Sequence, residues 1–597
     1  MRSCSDIMRS RIILQVCLVV AFFGYLIFTL YRVQIKRHAE YHAEARKKYI
    51  TSVKTKGKRG EIFDSSGSLL VGNMPRQNVF ITPCNIKSKD DATVARILAD
   101  ELHLDYDKVL AKVSRKTWMG KNKAGVREEM PLQYAQITTN ITLEEARHLR
   151  KVLQKAKLSR NVHFENTYVR YYPKGKFLSN VLGLTTLNSG VMGVEQLLED
   201  SLKSDEGSKT YMRTPDGNQV GDKPLKEKNS HDGLNIYLTI NEPLQSILEE
   251  ELEKACEYWR PAAAYAVMIE PSTGNVLAMA ERPSFDPNNR KDVPPSLFRV
   301  RLVNEVFEPG SIMKPLTVAG ALHYQVVTPD TKIDCQKGMM VFRRSTITDT
   351  HGYGIQDITG VIRKSSNIGT AKIAIMMGEQ KLYRTLCKFG LGTLTGISLP
   401  SEKRGVLKPP AQWDGLSISR FGYGYGVNCT PVQMARAYCA LANRGKLPKL
   451  RLIDRTVDAE TGASAPSEQE PLRTIFSPEV GEEIVKMMIA VTEKGGTATQ
   501  AAIPGYHVAG KTGTAYRHVP GKGYDHKKRF TSFAGFVPAE KPAFVLLVTL
   551  DSAVHPKGYK TYGGAVSGPV WKAIAERALK YLNIPPNVPV EDKSKKN

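Results

Sequence analysis

The sequence lacks the cysteine spacing of a metal site or of a disulfide framework. It has eight cysteines, none of which forms a C-x-x-C pair, and their spacing is irregular. Neither a zinc site nor a set of structural disulfides is therefore indicated. His38 and His42 lie four residues apart, but no third ligand is near them in the sequence and their surroundings are basic. We predict no metal site.

Motifs for nucleic-acid or nucleotide binding are also missing. The formal net charge of +26 and the pI of about 9.5 admit nucleic acid, an anionic membrane surface or an anionic polymer as neighbours. No nucleic-acid motif accompanies this charge, and the basic residues are spread widely. The glycines at 422, 424 and 426 do not have G-x-G-x-x-G spacing, and no lysine follows them. We therefore interpret the charge as a solvated basic face and predict no nucleic-acid partner.

One long hydrophobic run stands near the N-terminus. Residues 12–31 carry no charge and lie between Arg11 and Arg32. As a helix they would be about 30 Å long, which is enough to cross a bilayer. No small-x-small cleavage site follows, so we predict an uncleaved anchor rather than a signal peptide. Basic residues flank the run on both sides, and charge alone leaves the orientation open.

A polar stretch separates two parts of the chain after the anchor. Residues 203–232 are rich in Lys, Asp, Gly, Ser and Asn, and they contain a Pro-Asp-Gly turn. Such composition is typical of a domain boundary. Proline-rich and basic residues after about 583 predict a disordered tail.

The chemistry of the chain centres on the stretch Glu308 to Pro315. Pro309 and Gly310 interrupt what precedes, and an apolar run predicts a helix that begins at about Ser311. Residues three apart share a helix face, so the Lys314 amine can reach the Ser311 hydroxyl. A buried lysine accepts a proton more readily, and the N–H groups at a helix start favour negative charge. Ser311 is thus a candidate nucleophile and Lys314 its base.

Two later motifs complete a set. Ser365-Ser366-Asn367 stands at the start of a second helical pattern. Lys511-Thr512-Gly513-Thr514 lies in a strand that we interpret as a sheet edge. There Lys511 and the two threonine hydroxyls can face an anionic substrate. Gly513, which has no side chain, would let an extended peptide lie against the backbone as an added strand.

The three motifs in this order resemble those of penicillin-binding proteins and class A β-lactamases. Further stretches resemble class B penicillin-binding proteins, namely Arg59 to Leu70, Arg170 to Pro173, Gly193 to Glu195, Phe285 to Asn288, Glu308 to Ser311 and Thr561 to Gly564. The resemblance therefore extends from the anchor to about residue 580. Residues 530–538 look most like the cell-division (FtsI-type) branch. Ser65 and Leu70 depart from the family pattern, in the predicted pedestal.

The resemblance implies an α+β protein with a penicillin-binding, β-lactamase-like transpeptidase domain, in which helices flank an antiparallel sheet. This domain stands on an elongated α+β pedestal with one N-terminal transmembrane helix. The expected segments are a cytoplasmic N-terminus at 1–11, the anchor at 12–31, a pedestal (dimerisation-type) domain at 32–233, the transpeptidase domain at 234–582 and the disordered tail at 583–597. The catalytic part is expected on the periplasmic side of the bacterial inner membrane.

The resemblance also implies a reaction and roles for the site residues. Ser311 would attack the D-Ala–D-Ala amide of a donor stem peptide, and Ser365 would relay a proton. Asn367 would orient Lys314. Lys511, Thr512 and Thr514 would bind the terminal carboxylate, with backbone N–H groups of Ser311 and Thr514 holding the oxyanion. An acceptor amine from a neighbouring stem peptide would complete the cross-link, without a metal or organic cofactor.

Expected partners are peptidoglycan stem peptides, β-lactams as inhibitors, the inner membrane, an FtsW-like glycosyltransferase of the SEDS type and other divisome proteins. Four alternatives remain at this point. They are an elongation-type class B transpeptidase, a D,D-carboxypeptidase, a β-lactamase, for which we find no water-activating carboxylate motif, and a divisome scaffold or β-lactam sensor whose serine is dispensable.

Overall fold

The structure is a computed structural model that describes residues 4–42, 50–121, 125–186, 188–213, 219–220, 224–519, 521 and 523–589. The chain divides into two compact units. One unit is formed by Met1–Lys58 and Ser204–Gly233, and the other by Arg59–Lys203 and Leu234–Asn597. All the candidate catalytic residues belong to the second unit.

The first unit contains the apolar helix. This helix runs over Cys4–Tyr31 and continues as a π-helix over Arg32–Lys36. The segment Arg11–Lys36 is long and apolar enough to cross a membrane, with a mean hydropathy of 2.5. The predicted anchor at 12–31 thus lies within one continuous helix. The unit also contains a four-stranded antiparallel sheet of Ile50–Lys56, Glu206–Arg213, Gln219–Val220 and Lys226–Lys228.

A seven-stranded sheet joins the two chain segments of the second unit. Residues of Ile62–Phe63 pair in parallel with residues of Asn235–Leu238, so strands from both segments share one sheet. Its other strands are Leu69–Ile81, Ala135–Ile141, Val162–Tyr171, Ile453–Val457 and Ser464–Pro466. A smaller apolar core lies at one end of this sheet, where residues such as Val79, Leu98 and Leu149 are buried together.

Buried charges hold the start of this unit together. Glu195 is fully buried and accepts hydrogen bonds from Arg59 Nε at 2.7 Å and from Arg170 Nε at 2.6 Å. Asn288, in the other segment, exchanges two hydrogen bonds with the backbone of Tyr172, at 3.0 and 2.8 Å. Stretches that are far apart in the sequence therefore meet at one polar junction.

Glu195→Gln is expected to lower the free energy of unfolding by about 3 kcal/mol, because it leaves the buried Arg170 guanidinium without its anion and Arg59 with only the partly exposed Glu199. Chemical denaturation followed by far-UV circular dichroism measures this loss. Glu199→Gln is the matched control. Glu199 pairs with Arg59 from a partly exposed position, so its loss should cost less than about 1 kcal/mol. Equal losses in the two variants would contradict the conclusion that the buried Glu195 stabilises the fold more than Glu199 does.

The catalytic sheet has five strands, all antiparallel: β1 (Ala263–Ile269), β2 (Val276–Arg282), β3 (Ala509–Val519), β4 (Gly523–Val537) and β5 (Phe544–Asp551). Their order is β2-β1-β5-β4-β3, which places β3 at an edge as predicted. Every residue of β1 and β5 is buried, so both faces of the sheet are covered. The predicted α+β fold with a flanked antiparallel sheet is confirmed.

Four helices position the site or cover the sheet: α1 (Glu242–Trp259), α2 (Lys314–His323), α3 (Asn367–Met377) and α4 (Gly563–Tyr581). Trp571 of α4 packs edge-on against Phe533 of β4 and donates its indole N–H to Leu546 O at 2.8 Å. The helix Pro431–Ala442 packs on β1 and β5. It begins with a capping box of Thr430 and Gln433, with proline in its first turn.

The second unit has further elements. Its other α-helices are Asp91–Leu102, Tyr106–Ser114, Leu143–Lys155, Ser179–Leu182, Gly193–Leu197, Glu199–Leu202, Arg301–Asn304, Ile358–Lys364, Glu379–Lys388, Ser417–Gly422 and Pro478–Ile489. Its other strands are Thr117–Lys121, Arg127–Pro131, Leu184–Thr186, Ser189–Met192, Ile333–Asp334, Met339–Phe342, Ser345–Thr348, Ile355–Gln356, Lys446–Leu447 and Arg473–Thr474. Its 3₁₀-helices are Pro83–Asn85, Ser88–Asp90, Ser159–Asn161, Pro295–Leu297, Gly310–Met313, Pro410–Gln412 and Thr499–Ala501.

The first residues of the C-terminal tail, which we predicted to be disordered, are hydrogen-bonded to the domain. We expected disorder at 583–597, of which 590–597 lie outside the described residues. The part just after α4 is hydrogen-bonded: Ile584 O accepts from Tyr506 OH at 2.6 Å, and Asn587 N donates to Gly505 O at 3.0 Å. The prolines that suggested disorder here instead accompany an irregular segment, several of whose backbone polar groups find partners on the domain.

Candidate active site

The Ser311 turn begins as a 3₁₀-helix over Gly310–Met313 and becomes the α-helix α2 at Lys314. The sequence explains this first turn. Pro315 has no N–H to donate to Ser311 O, and that carbonyl instead accepts from Lys314 N. In a 3₁₀ turn, side chains three residues apart eclipse one another, so Ser311 and Lys314 share one side.

Gly310 fixes this turn against the edge strand. Its φ of +54° is in the left-handed region, and its N–H donates to Gly424 O at 2.9 Å. A Cβ on Gly310 would lie 3.2 Å from both Thr514 O and the Cβ of Ala515 on β3. Only a residue without a side chain permits this approach at this conformation. Ser311 is thereby held beside Thr514.

Lys314 is fully buried and points to the second motif. Its Nζ donates to Ser365 O at 2.5 Å and to Asn367 Oδ1 at 2.8 Å, and it lies 3.3 Å from Ser365 Oγ. Burial lowers the pKa of Lys314 to about 7, and the negative charge of Asp349 partly opposes this shift. The amine is therefore poised to take up a proton near neutral pH.

Ser365 and Asn367 stand at the junction of two helices. Ser365 ends the helix Ile358–Lys364 in the left-handed conformation, with φ +58°. Ser366 caps α3 by accepting from Gly369 N at 2.8 Å. Asn367 is the first residue of α3, and its Nδ2 donates to Thr348 O at 2.8 Å. Together with the bond from Lys314 to Oδ1, this bond fixes the Asn367 amide so that its oxygen faces Lys314.

Asp349 is a site residue that the sequence did not reveal. One carboxylate oxygen accepts from Ser366 Oγ at 2.5 Å, and the other accepts from the backbone N–H groups of Asn367 and Ile368. An acidic group at this helix start is stabilised by the free N–H groups. Asp349 thus anchors the Ser-x-Asn motif and supplies the negative charge near Lys314. Only its carboxyl type could have pointed to it, because no motif spacing marks it.

Asp349→Asn is expected to slow acylation by a β-lactam about tenfold, because the anchor of α3 weakens and the Lys314 amine becomes a weaker base. Since the charge of Asp349 raises the pKa of Lys314, its removal should also shift the pH dependence of acylation to lower pH. Rate constants for benzylpenicillin measured across pH check both effects. Asp334→Asn, an exposed site with the same change in charge, is the control. An unshifted profile would contradict this role.

Lys511 meets the other two motifs from the edge strand. It is fully buried, and its Nζ donates to Ser365 Oγ at 2.8 Å and to Thr512 O at 3.2 Å. Burial and the nearby positive charge of Lys314 lower the pKa of Lys511 well below its ordinary value. The Ser365 hydroxyl therefore lies between two lysine amines, and this contact joins all three motifs.

The threonines of β3 face the cleft, whereas the side-chain position of Gly513 faces the Ser311 turn. Thr512 Oγ1 pairs with Thr497 Oγ1 at 3.0 Å, and Thr514 Oγ1 accepts from Gly563 N at 3.0 Å. A Cβ on Gly513 would lie 3.0 Å from Ile312 Cγ2 and 3.1 Å from Pro309 O. Alternate strand residues face opposite sides, so the missing side chain of Gly513 makes room for the Ser311 turn.

Five of the eight candidate residues, Ser311, Ser365, Asn367, Thr512 and Thr514, line a cleft of about 530 Å³. Among the described residues, the Ser311 hydroxyl makes no hydrogen bond, and no group of three His, Cys, Asp or Glu side chains is placed to hold a metal ion. The lining residues are Ser311, Thr348, Asp349, Thr350, Lys364, Ser365, Asn367, Tyr425, Thr497, Thr499, Gln500, Thr512, Thr514, Tyr516, Arg529, Tyr562, Gly563, Gly564 and Ala565.

A half-buried serine, a buried lysine of lowered pKa and a second serine between two amines define a serine acyl-transfer site of the Ser-x-x-Lys class. The chain belongs to the penicillin-binding protein family. Residues 264–576 match the penicillin-binding protein transpeptidase domain, and residues 54–238 match the penicillin-binding protein dimerisation domain.

Named relatives agree with this membership. The chain is 31% identical to the probable peptidoglycan D,D-transpeptidase PenA of Neisseria gonorrhoeae, over 89% of this chain and 86% of that protein. It is 30% identical to the peptidoglycan D,D-transpeptidase FtsI of Escherichia coli strain K12, over 89% and 84%. A peptidoglycan synthetase from Bifidobacterium adolescentis has the same fold, with a TM-score of 0.70 and 24% identity over 91% of this chain and 98% of that one.

Proposed function

We propose that the protein is a serine peptidoglycan D,D-transpeptidase of the cell-division type. The observation that carries this proposal is the contact of Ser365 Oγ with two buried lysines, at 2.8 and 3.3 Å, beside the Ser311 turn. It unites three motifs that lie far apart in the sequence. Membership in the penicillin-binding protein family and the relatives named as D,D-transpeptidases support the same reaction.

In the first step, Ser311 Oγ attacks the carbonyl carbon between the two terminal D-alanines. Its proton passes to Lys314 as the tetrahedral oxyanion forms, and backbone N–H groups of Ser311 and Thr514 stabilise that anion. The C–N bond then breaks. Lys314 returns this proton through the Ser365 hydroxyl to the departing D-Ala amine, which leaves a Ser311 ester and a neutral Lys314. An acceptor amine next attacks the ester and loses a proton, the new amide forms as the ester C–O bond breaks, and that proton is passed to the departing Ser311 oxygen.

The hydrogen bonds of Lys314 suit it to be the base. A neutral amine has two N–H donors and one lone pair. The two shorter contacts, to Ser365 O and Asn367 Oδ1, use both donors. The lone pair then remains for a hydroxyl proton, and the pKa of about 7 keeps a large neutral fraction at physiological pH.

Lys511, Thr512 and Thr514 would hold the terminal carboxylate of the donor. Lys511 has no carboxylate partner among the described residues, and an arriving carboxylate would favour its ammonium form. The Thr514 hydroxyl already accepts from Gly563 N, so its own hydrogen is free to donate to that carboxylate. Gly513 contributes by letting the Ser311 turn approach β3.

A β-lactam would acylate Ser311 and remain attached. Asp349 is the only carboxyl side chain among the described residues that line the cleft. Both of its oxygens already accept hydrogen bonds from α3 or its cap. It is therefore badly placed to activate a hydrolytic water, which argues against the β-lactamase alternative.

Two measurements test the proposal. Intact-protein mass spectrometry after benzylpenicillin treatment should show one adduct that lasts for many minutes, whereas rapid nitrocefin turnover would indicate a β-lactamase. Lipid II polymerised by a partner glycosyltransferase should then yield cross-linked peptides. Release of D-Ala without cross-links would instead identify a carboxypeptidase, and the absence of any adduct would overturn the proposal.

We also propose the wider arrangement that the resemblance implies. The apolar helix within Arg11–Lys36 would anchor the protein in the inner membrane, with residues 1–11 in the cytoplasm. Residues 32–233 would form the pedestal and 234–582 the periplasmic transpeptidase domain. An FtsW-like glycosyltransferase and divisome proteins would be partners at the septum. A reporter enzyme that is active only outside the cytoplasm, fused to residue 597, tests the orientation. A well-expressed but inactive fusion would indicate the opposite orientation.

A further inference from the structure

Arg529 lies on the wall of the catalytic cleft between two aromatic rings. It is directly opposite Tyr516 in the pairing of β3 with β4. Its guanidinium carbon lies 5.1 Å from the ring centre of Tyr516 and 5.5 Å from that of Tyr562. All three residues line the cleft. The two rings hold the flat guanidinium group in one place through cation–π contact.

Most N–H donors of the Arg529 guanidinium group have no hydrogen-bond acceptor among the described residues. Among the described residues, its side chain makes one hydrogen bond, from NH1 to Thr561 O at 3.4 Å, and no carboxylate is within ion-pair distance. The neighbouring Arg517 is different, because its NH1 lies 2.6 Å from Asp551. An arginine has five N–H donors, and a half-buried one without an anion is suited to receive one from a ligand.

The position of Arg529 on β4, opposite Tyr516 of β3, identifies the part of the donor that it meets. The terminal carboxylate belongs near Thr512, and the scissile carbonyl belongs at Ser311 beside Thr514. Tyr516 lies about 13 Å beyond Thr512 along an extended strand. A donor that follows the strand therefore brings to Arg529 the peptide that precedes the two D-alanines. In a penicillin, the acyl side chain occupies the same direction.

We propose that Arg529 binds a carboxylate carried by the donor peptide on the N-terminal side of D-Ala–D-Ala. This inference rests on the proposed function and names a feature of its substrate. The fork of the guanidinium group matches the two oxygens of a carboxylate, and such a bidentate pair is both strong and directional. Substrates or β-lactams with an anion at this point should then acylate faster than neutral analogues.

Benzylpenicillin and carbenicillin make a matched test, because they differ only in a carboxylate on the acyl side chain. We expect Arg529→Gln to lower the second-order acylation rate constant for carbenicillin about tenfold. The constant for benzylpenicillin should stay within about twofold, since that ligand offers Arg529 no anion. Lys528→Gln, an exposed neighbour with the same change in charge, should leave both constants unchanged.

Arg529→Lys gives a second measurement. It keeps the charge and loses the fork, so it should recover only part of the preference for carbenicillin. Two pentapeptides that end in D-Ala–D-Ala and differ only in a carboxylate on the third side chain should show the same pattern in D-Ala release. Equal losses for both penicillins in Arg529→Gln, or no loss, would overturn the inference while leaving the transpeptidase proposal intact. Failure of the unmodified protein to form either adduct would overturn the proposed function and this inference with it.

Discussion

Ser311→Ala is expected to abolish covalent labelling by benzylpenicillin and to lower cross-linking by at least about 10³-fold. Without the hydroxyl no ester can form, and neither Lys314 nor Lys511 can replace it because both amines are buried. Intact-protein mass spectrometry checks the labelling, and analysis of cross-linked peptides checks the reaction. An adduct of the same mass in the variant would contradict the assignment of Ser311.

The fold should be unaffected by this substitution, which makes the loss interpretable. The Ser311 hydroxyl has no hydrogen-bond partner among the described residues, so its removal leaves no buried group unsatisfied. We expect the thermal midpoint to change by no more than about 2 °C. Ser272→Ala, an exposed serine outside the catalytic cleft, should retain full labelling under the same conditions.

Local sequence signals predicted the elements that carry the site. Proline and glycine before an apolar run predicted a helix start at about Ser311, where the 3₁₀ turn Gly310–Met313 leads into α2, and strand character correctly placed Lys511 on a sheet edge. These features depend on neighbouring residues, and the chain records them directly. The junction of Ser365 with two lysines depends on tertiary packing, and only the family resemblance predicted that the motifs would meet.

Other features could not be predicted because they depend on which side of an element faces the cleft. Asp349 precedes Asn367 by 18 residues, and its role follows from where the strand Ser345–Thr348 ends against α3. The packing of Gly513 against the Ser311 turn follows from strand alternation, and no local signal marks it. Arg529 belongs to no motif, and only its pairing with Tyr516 brings it to the cleft.

Lys314 should control the pH dependence of acylation. Its pKa of about 7 is low because burial disfavours the charged amine, and the neutral form is the one that accepts the Ser311 proton. The neutral fraction grows as pH rises, so the acylation rate constant should increase about tenfold between pH 6 and pH 8 and then level off. Stopped-flow or quenched measurements with benzylpenicillin at constant ionic strength would record this rise, which is the ascending limb of the pH–rate profile.

Lys314→Ala should lower the acylation rate constant about 10³-fold and remove the limb, because Lys511, the other buried amine in contact with Ser365, bonds to Ser365 and Thr512 rather than to Ser311. Lys372→Ala, which removes a lysine of α3 that bonds to Asp334 O, should keep both the rate and the limb. Two results would contradict this role for Lys314. One is a flat profile for the unmodified protein. The other is a limb that survives in Lys314→Ala, which would assign the titration to Lys511, the other buried amine in contact with Ser365.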